Sequence, residues 1–196
     1  MRKRNFHVLL AAAGLLASVA GCVLFDLVGG AEFSLVGARV ALMPFAGPGN
    51  WWYGENPLAR HIYGKVAAML REGGVEVCIS RRINQELLNY LEDREPPWVQ
   101  YGKRLKADYV VVGRLVDWEL GRPTAVAFVP GKAVMDVSVY DVAQERLVFQ
   151  RRIAASVGLE EDSTDLYAGS DQARYVLVKR VLQKWRSLFI EKSAFD

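Results

Sequence analysis

The spacing of apolar residues changes several times along the chain, and each change predicts a new element of secondary structure. Short apolar runs typical of strands alternate with stretches in which apolar residues recur every three or four positions, as they do in helices. The predicted strands are 39–45, 75–80, 107–118, 134–140 and 147–157. The predicted helices are 57–72, 81–92, 98–106 and 171–191. The resulting order is β-α-β-α-α-β-β-β-α.

This order predicts the fold class. Helices between the early strands act as crossover connections, so those strands should pair in parallel. The last two strands are joined by a short turn at 141–146 and should form an antiparallel hairpin. The run 107–113 is apolar on both faces, which is typical of a central strand. We therefore predict an α/β fold over residues 37–192, a single-domain sandwich with a mixed sheet flanked by helices.

The first residues have a different pattern, which is typical of a secretory signal peptide. Three cations at positions 2–4 precede an apolar run from 8 to 20. The run ends in Val19-Ala20-Gly21-Cys22, which resembles a bacterial lipobox. We predict cleavage before Cys22, with lipid on its thiol and, as is usual, an acyl chain on its amine. The alternative is an uncleaved anchor, because apolar residues continue to Phe25 and give about eighteen residues, the short limit for a span.

Cleavage would change the charge and the cysteine count of the mature protein. The formal net charge of +3 comes entirely from Arg2, Lys3 and Arg4, so removal of residues 1–21 leaves a net charge of zero. A neutral chain argues against nucleic acid as a partner. Cys78 becomes the one free thiol, and its strand-like surroundings predict a buried apolar role. A reactive or intermolecular thiol is the alternative.

The residues after the predicted cleavage site bear on location. The tether 22–36, which begins with the lipidated cysteine, is short and rather apolar, so the domain should stay close to its membrane. Val23 follows the cysteine, whereas aspartate there is the usual inner-membrane retention signal in enteric bacteria. We predict a lipid anchor in the outer membrane, with the domain facing the periplasm.

Four segments of the mature chain resemble, in the same order, segments of one protein family. They are VALMPF at 40–45, ISRRINQELL at 79–88, ADYVVVGRL at 107–115 and VSVYDV at 137–142. Together they are similar to the CsgG-like group, which includes LpoB-like lipoproteins and the N-terminal domain of TolB. The resemblance implies a non-enzymatic envelope role. Some members form secretion pores, and others bind and activate cell-wall synthases.

Residues that carry catalysis or bind metals are sparse. His61 is the one histidine of the mature chain, and a polar position on a helix surface explains it. Four acidic residues, Glu160, Glu161, Asp162 and Asp165, lack the spacing and glycine of an EF-hand and are interpreted as a solvated loop. No phosphate-binding loop is present. We predict no enzyme activity, no cofactor and no metal. The pairs Arg81-Arg82 and Arg151-Arg152 indicate ordinary surface charge, with contact to an anionic polymer or lipid as the alternative.

The aromatic run Trp51-Trp52-Tyr53 is the candidate binding feature. It lies in a loop with glycine and proline on both sides, and aromatic residues are enriched in interface hot spots. We predict a partner-binding patch, which Trp98 would join. The alternative is that these rings form an accessory core at the end of the sheet. The predicted function is therefore a lipid-anchored protein that binds an envelope partner. The alternative is a subunit of a secretion channel, which would assemble as a homo-oligomer.

Overall fold

The structure of this chain is a computed structural model. It describes residues 33–48, 56–88, 96–120, 122–123, 128–129, 131–157 and 170–190. The predicted residues Trp51, Trp52 and Tyr53 and the acidic residues 160–165 lie outside these ranges, as do the predicted signal peptide and lipobox.

The described elements follow the predicted order. The strands are β1 (Arg39–Leu42), β2 (Glu76–Cys78), β3 (Tyr109–Glu119), β4 (Arg122–Pro123), β5 (Phe128–Val129), β6 (Gly131–Asp141) and β7 (Arg146–Val157). The helices are α1 (Pro57–Glu72), α2 (Arg81–Leu88), α3 (Trp98–Leu105) and α4 (Ser170–Phe189). The sequence did not predict β4 and β5. These two short strands lie between β3 and β6 along the chain and pair with each other.

Five strands form a mixed sheet in the order β2-β1-β3-β6-β7. β1 is parallel to both β2 and β3, because α1 and the α2–α3 segment return the chain between successive strands. β6 is antiparallel to β3 and to β7, as predicted for the late hairpin. The predicted α/β class and the central position of β3 are thus confirmed.

Helix α1 begins and ends where its sequence signals lie. The side chain of Asn56 accepts hydrogen bonds from the backbone N–H groups of Leu58, at 2.9 Å, and Ala59, at 3.0 Å. Pro57 occupies the first turn, where its missing N–H leaves no acceptor unpaired. Gly73 caps the carboxyl end, and Gly74 has a φ of +83°, which suits glycine. These signals predict both ends of the helix.

Helices cover both faces of the sheet, but unequally. α1 and α4 cover one face over a large core, and α2 and α3 cover part of the other over a smaller cluster. The larger core includes Val40, Leu42, Phe45, Val66, Leu70, Val111, Leu115, Met135, Val137, Trp185 and Phe189. The smaller cluster includes Ala41, Met43, Ile83, Leu87, Trp98, Tyr101, Val110, Val112 and Val142. Alternate residues of β1 and β3 serve the two layers, as the pleat of a strand requires.

The part of this second face beyond the smaller cluster carries charged side chains. Arg114 on β3, Asp136 on β6 and Arg152 on β7 lie side by side across three strands. Arg152 binds the carboxylate of Asp136 with two hydrogen bonds of 2.6 and 2.8 Å, and these bonds raise the pKa of the guanidinium.

Within the described residues, no helix has both the length and the apolar character needed to cross a membrane.

Candidate functional site

The residues on either side of the segment that carries Trp51, Trp52 and Tyr53 lie next to each other in the described domain. A Cβ on Gly47 would lie 2.6 Å from the Cβ of Asn56, so the residues that flank this segment touch each other. Ala46 is bridged to β3, because its carbonyl accepts a hydrogen bond of 2.9 Å from the N–H of Leu115. The two flanks are therefore held beside the middle of the central strand.

This point lies beyond the carboxyl end of β1, whereas the described domain begins near the amino end of that strand. Near Phe33, the N–H of Leu35 donates to the carbonyl of Phe189, and that of Gly37 donates to the carbonyl of Gly74, both at 3.0 Å. Helices α1 and α4 both end here. From Arg39 to Gly47 the chain advances eight residues, about 26 Å if extended throughout. Helix α1 then returns it by about 24 Å to Gly74.

Trp98 corrects one part of the sequence prediction. Its ring is only 4% exposed, and it packs in the smaller cluster, 6.4 Å from the ring centroid of Tyr101. Trp98, Tyr101, Gly102 and Leu105 recur at helical spacing along α3, and this pattern directs the tryptophan towards the sheet. Trp98 thus belongs to an accessory core and not to an exposed patch.

His61 and Cys78 are the histidine and the cysteine that the described residues contain. His61 is exposed on α1, whereas Cys78 is half-buried on the short edge strand β2. Contacts with Cys78 and Glu76 raise the pKa of the neighbouring Arg39 guanidinium, and the contact with Cys78 has the larger effect. Within the described residues, no group of three or more histidine, cysteine, aspartate or glutamate side chains is arranged to hold a metal ion.

Arg82 and Arg152, one arginine from each basic pair singled out in the sequence, have ion-pair partners on the surface. Arg82 lies 3.3 Å from Glu86 on α2, and the same carboxylate binds Arg104 of α3 at 2.7 and 2.9 Å. The bond from Arg104 lowers the pKa of Glu86. Together with the Arg152–Asp136 pair between β7 and β6, these contacts favour ordinary surface charge, because exposed ion pairs add little to stability.

A groove between α1 and α4 is a concave surface that sequence reasoning missed. It has a volume of about 580 Å³. Met69 of α1 and Val178 and Leu182 of α4 form an apolar floor, while Lys65 and Lys179 are exposed on the two helices. The groove forms where the outer faces of two helices, about a hundred residues apart in sequence, meet over the sheet. The pattern of apolar residues in either helix alone therefore does not predict the groove.

Known proteins resemble this chain in structure and not in sequence. No protein-family model matches it, and no curated protein sequence matches it. The lipoprotein GNA1162 from Neisseria meningitidis aligns with 76% of this chain and 99% of its own, at 11% identity and a TM-score of 0.50. A PelC dodecamer from Paraburkholderia phytofirmans aligns over 83% and 94%, at 16% identity and a TM-score of 0.49.

The C-terminal domain of LpoB from Escherichia coli aligns over 68% of this chain and 93% of its own, at 10% identity and a TM-score of 0.42. At 11% identity, the alignment with GNA1162 shows a shared fold alone. The chain therefore has the α/β fold found in a solved bacterial lipoprotein, GNA1162.

Proposed function

We propose that this chain is a lipid-anchored envelope protein whose α/β domain binds a protein partner and catalyses no reaction. Two independent facts support the proposal. The N-terminus carries a cationic and apolar leader that ends in the lipobox-like residues Val19 to Cys22. The domain shares its fold with a solved lipoprotein. The leader and Val23 favour anchorage at Cys22 in the outer membrane, with the domain facing the periplasm.

The observation that carries the proposal is the position of the residues that flank the aromatic segment, relative to the start of the domain. Phe33, where the described domain begins, packs against Phe149 with ring centroids 5.6 Å apart. The segment bearing Trp51 and Trp52 joins the domain at the far end of β1, where Gly47 meets Asn56. Between Cys22 and Phe33 lie ten residues, which reach at most about 36 Å. A lipid at Cys22 would therefore keep the domain close to its membrane, and the residues that flank the aromatic segment lie beyond the carboxyl end of β1, away from Phe33.

Two adjacent tryptophans and a tyrosine suit a protein partner. Large aromatic side chains are enriched among the residues that contribute most to binding free energy. Because Trp98 is buried in the smaller cluster, the proposed contact residues are Trp51, Trp52 and Tyr53 alone. The groove between α1 and α4 is a separate surface.

Lipidation is tested by removing the predicted acceptor. In cells, Cys22→Ala should leave a full-length precursor, because signal peptidase cleavage requires the lipidated cysteine, and globomycin should have the same effect on the unaltered chain. Immunoblotting of membrane fractions measures the size shift. Normal processing in both cases would contradict the lipid anchor.

Partner binding is tested with Trp51→Ala combined with Trp52→Ala. If the rings form a binding surface, the change in the free energy of unfolding should stay within about 0.5 kcal/mol, as for other surface substitutions. The partner found by in-cell crosslinking and mass spectrometry should be lost. Leu147→Ala, which removes a 41% exposed side chain from β7, is the control and should retain that partner.

The opposite result would assign the tryptophans to an accessory core. A large loss of stability with the partner retained would contradict the binding patch. Crosslinks solely to a second copy of this chain would favour the channel-subunit alternative, and native mass spectrometry of the lipidated protein would then count the subunits.

A further inference from the structure

We propose that the groove between α1 and α4 is a second docking site, which takes an acidic amphipathic helix from another envelope protein. The inference rests on the proposed partner-binding role, but it concerns a surface different from that of Trp51 and Trp52. Three properties of the groove indicate an acidic amphipathic helix: its length, its apolar floor and its charge.

The groove has the length of a short helical peptide. α1 and α4 run in the same direction and end at the same end of the domain, near Gly37 and Leu35. The lining of α1 extends from His61 to Glu72, a rise of about 16 Å, which corresponds to three helical turns. Its volume of about 580 Å³ gives space for several side chains. An amphipathic helix commonly lies in such a groove through residues spaced by three and four.

The floor offers apolar contacts. Met69 and Val178 are each 5% exposed, and Leu182 is half-buried, so the bottom of the groove is formed by thioether and methyl groups. Methionine adapts to differently shaped partners. Tyr175 is 65% exposed on the same lining and offers an aromatic surface. A glycan or a free phosphate would gain little from such a floor, whereas the apolar face of a helix would be buried on it.

The sides of the groove are cationic. Lys65 of α1 and Lys179 and Arg186 of α4 line it, and the one carboxylate in the lining, Glu72, lies 4.0 Å from Arg186. The mature chain has zero net charge, so this is a local excess and not a property of the whole protein. Complementary charge favours a partner with aspartate and glutamate beside its apolar face, and charged sides chiefly accelerate association and select the partner.

The test places a photo-crosslinking amino acid at Gln183, an exposed residue of the lining, in the full lipidated chain expressed in cells. Mass spectrometry then identifies the crosslinked segment. We expect a segment of another envelope protein with net negative charge and apolar residues at helical spacing. Lys65→Glu combined with Lys179→Glu should reduce its yield about tenfold, since repulsion replaces two attractions. Tyr175→Ala should reduce it without any change of charge.

A matched control changes the same number of charges outside the groove. Arg81→Glu combined with Lys184→Glu alters exposed positions on α2 and α4 that do not line it, and the adduct should keep its yield. Thermal unfolding of each variant checks that the helices remain folded. An adduct to lipid or glycan, to a neutral or basic segment, or to residues 158–169 of this chain would overturn the proposal. So would the absence of an adduct, or one that is insensitive to Lys65→Glu with Lys179→Glu.

The two proposals fail separately. Trp51→Ala with Trp52→Ala should leave the adduct at Gln183 unchanged. Loss of the tryptophan-dependent partner with this adduct intact supports both surfaces. An adduct that disappears with the tryptophans would show one continuous interface and would overturn the separate groove site.

Discussion

Replacing Trp185 with alanine is expected to lower the free energy of unfolding by about 3–5 kcal/mol, the largest effect of any single substitution considered. The side chain is fully buried between α4 and the sheet. Its ring stacks on Phe45, with centroids 5.5 Å apart, and contacts Phe189 at 5.3 Å. Alanine would remove the apolar surface that joins α4 to the chain after β1 and would leave a cavity among aromatic rings, which cannot easily collapse.

Trp185→Phe is the substitution to compare with Trp185→Ala. Among the described residues, no acceptor lies within hydrogen-bonding distance of the indole Nε1, although this atom is buried. A buried donor without a partner costs about 1–3 kcal/mol, so phenylalanine removes that cost while it keeps part of the packing. We therefore expect Trp185→Phe to destabilise the domain much less than Trp185→Ala does.

The measurement is urea unfolding of the purified protein, followed by far-ultraviolet circular dichroism. Proteins of this kind are stable by only about 5–15 kcal/mol, so the alanine variant should unfold at a clearly lower urea concentration. A cost below about 1 kcal/mol for Trp185→Ala would contradict the packing of α4 on the sheet. Equal costs for alanine and phenylalanine would show that the indole N–H has a partner in the folded protein.

The burial of Trp185 illustrates how much of the fold the sequence predicts. Val178, Val181, Trp185 and Phe189 recur every three or four residues, which predicts a helix with this face inward. The same reasoning places Pro57 and Gly73 at the ends of α1 and β3 at the centre of the sheet. These signals are local, because each depends on residues within one or two turns. The contact between Trp185 and Phe45 is not local, and no pattern in either segment predicts it.

The candidate sites were harder to predict for the same reason. Trp98 directly follows Pro96-Pro97 at the start of a helix, and its spacing from Tyr101 and Leu105 is the signal in the sequence that indicates a buried position. The groove depends on the distance and angle between α1 and α4, and only the assembled sheet sets these. Residues such as Lys65 and Lys179 are ordinary exposed lysines when each helix is considered alone.

Gly113→Ala is the second substitution with a large expected effect on the free energy of unfolding. Strand propensity predicts that it stabilises the domain, whereas packing predicts that it destabilises the domain. Glycine weakens a strand, so alanine in β3 should be stabilising by propensity alone. However, a Cβ at this position would lie 2.6 Å from Phe45 Cδ1 and Met135 Cε. The flexible end of Met135 can move, but the ring of Phe45 is fixed against Trp185. Packing should therefore prevail, and overpacking of this kind costs about 1–3 kcal/mol.

The same change at Gly64 provides the matched control. Gly64 lies within α1, and a Cβ there would have nothing within 4 Å, so Gly64→Ala should stabilise the protein by about 0.5–1 kcal/mol through helix propensity. Urea midpoints of the two variants should thus move in opposite directions from that of the unaltered chain. If Gly113→Ala also proved stabilising, the ring of Phe45 would have to be free to move, and the cost expected for Trp185→Ala would fall with it, because both effects depend on the same stacked pair.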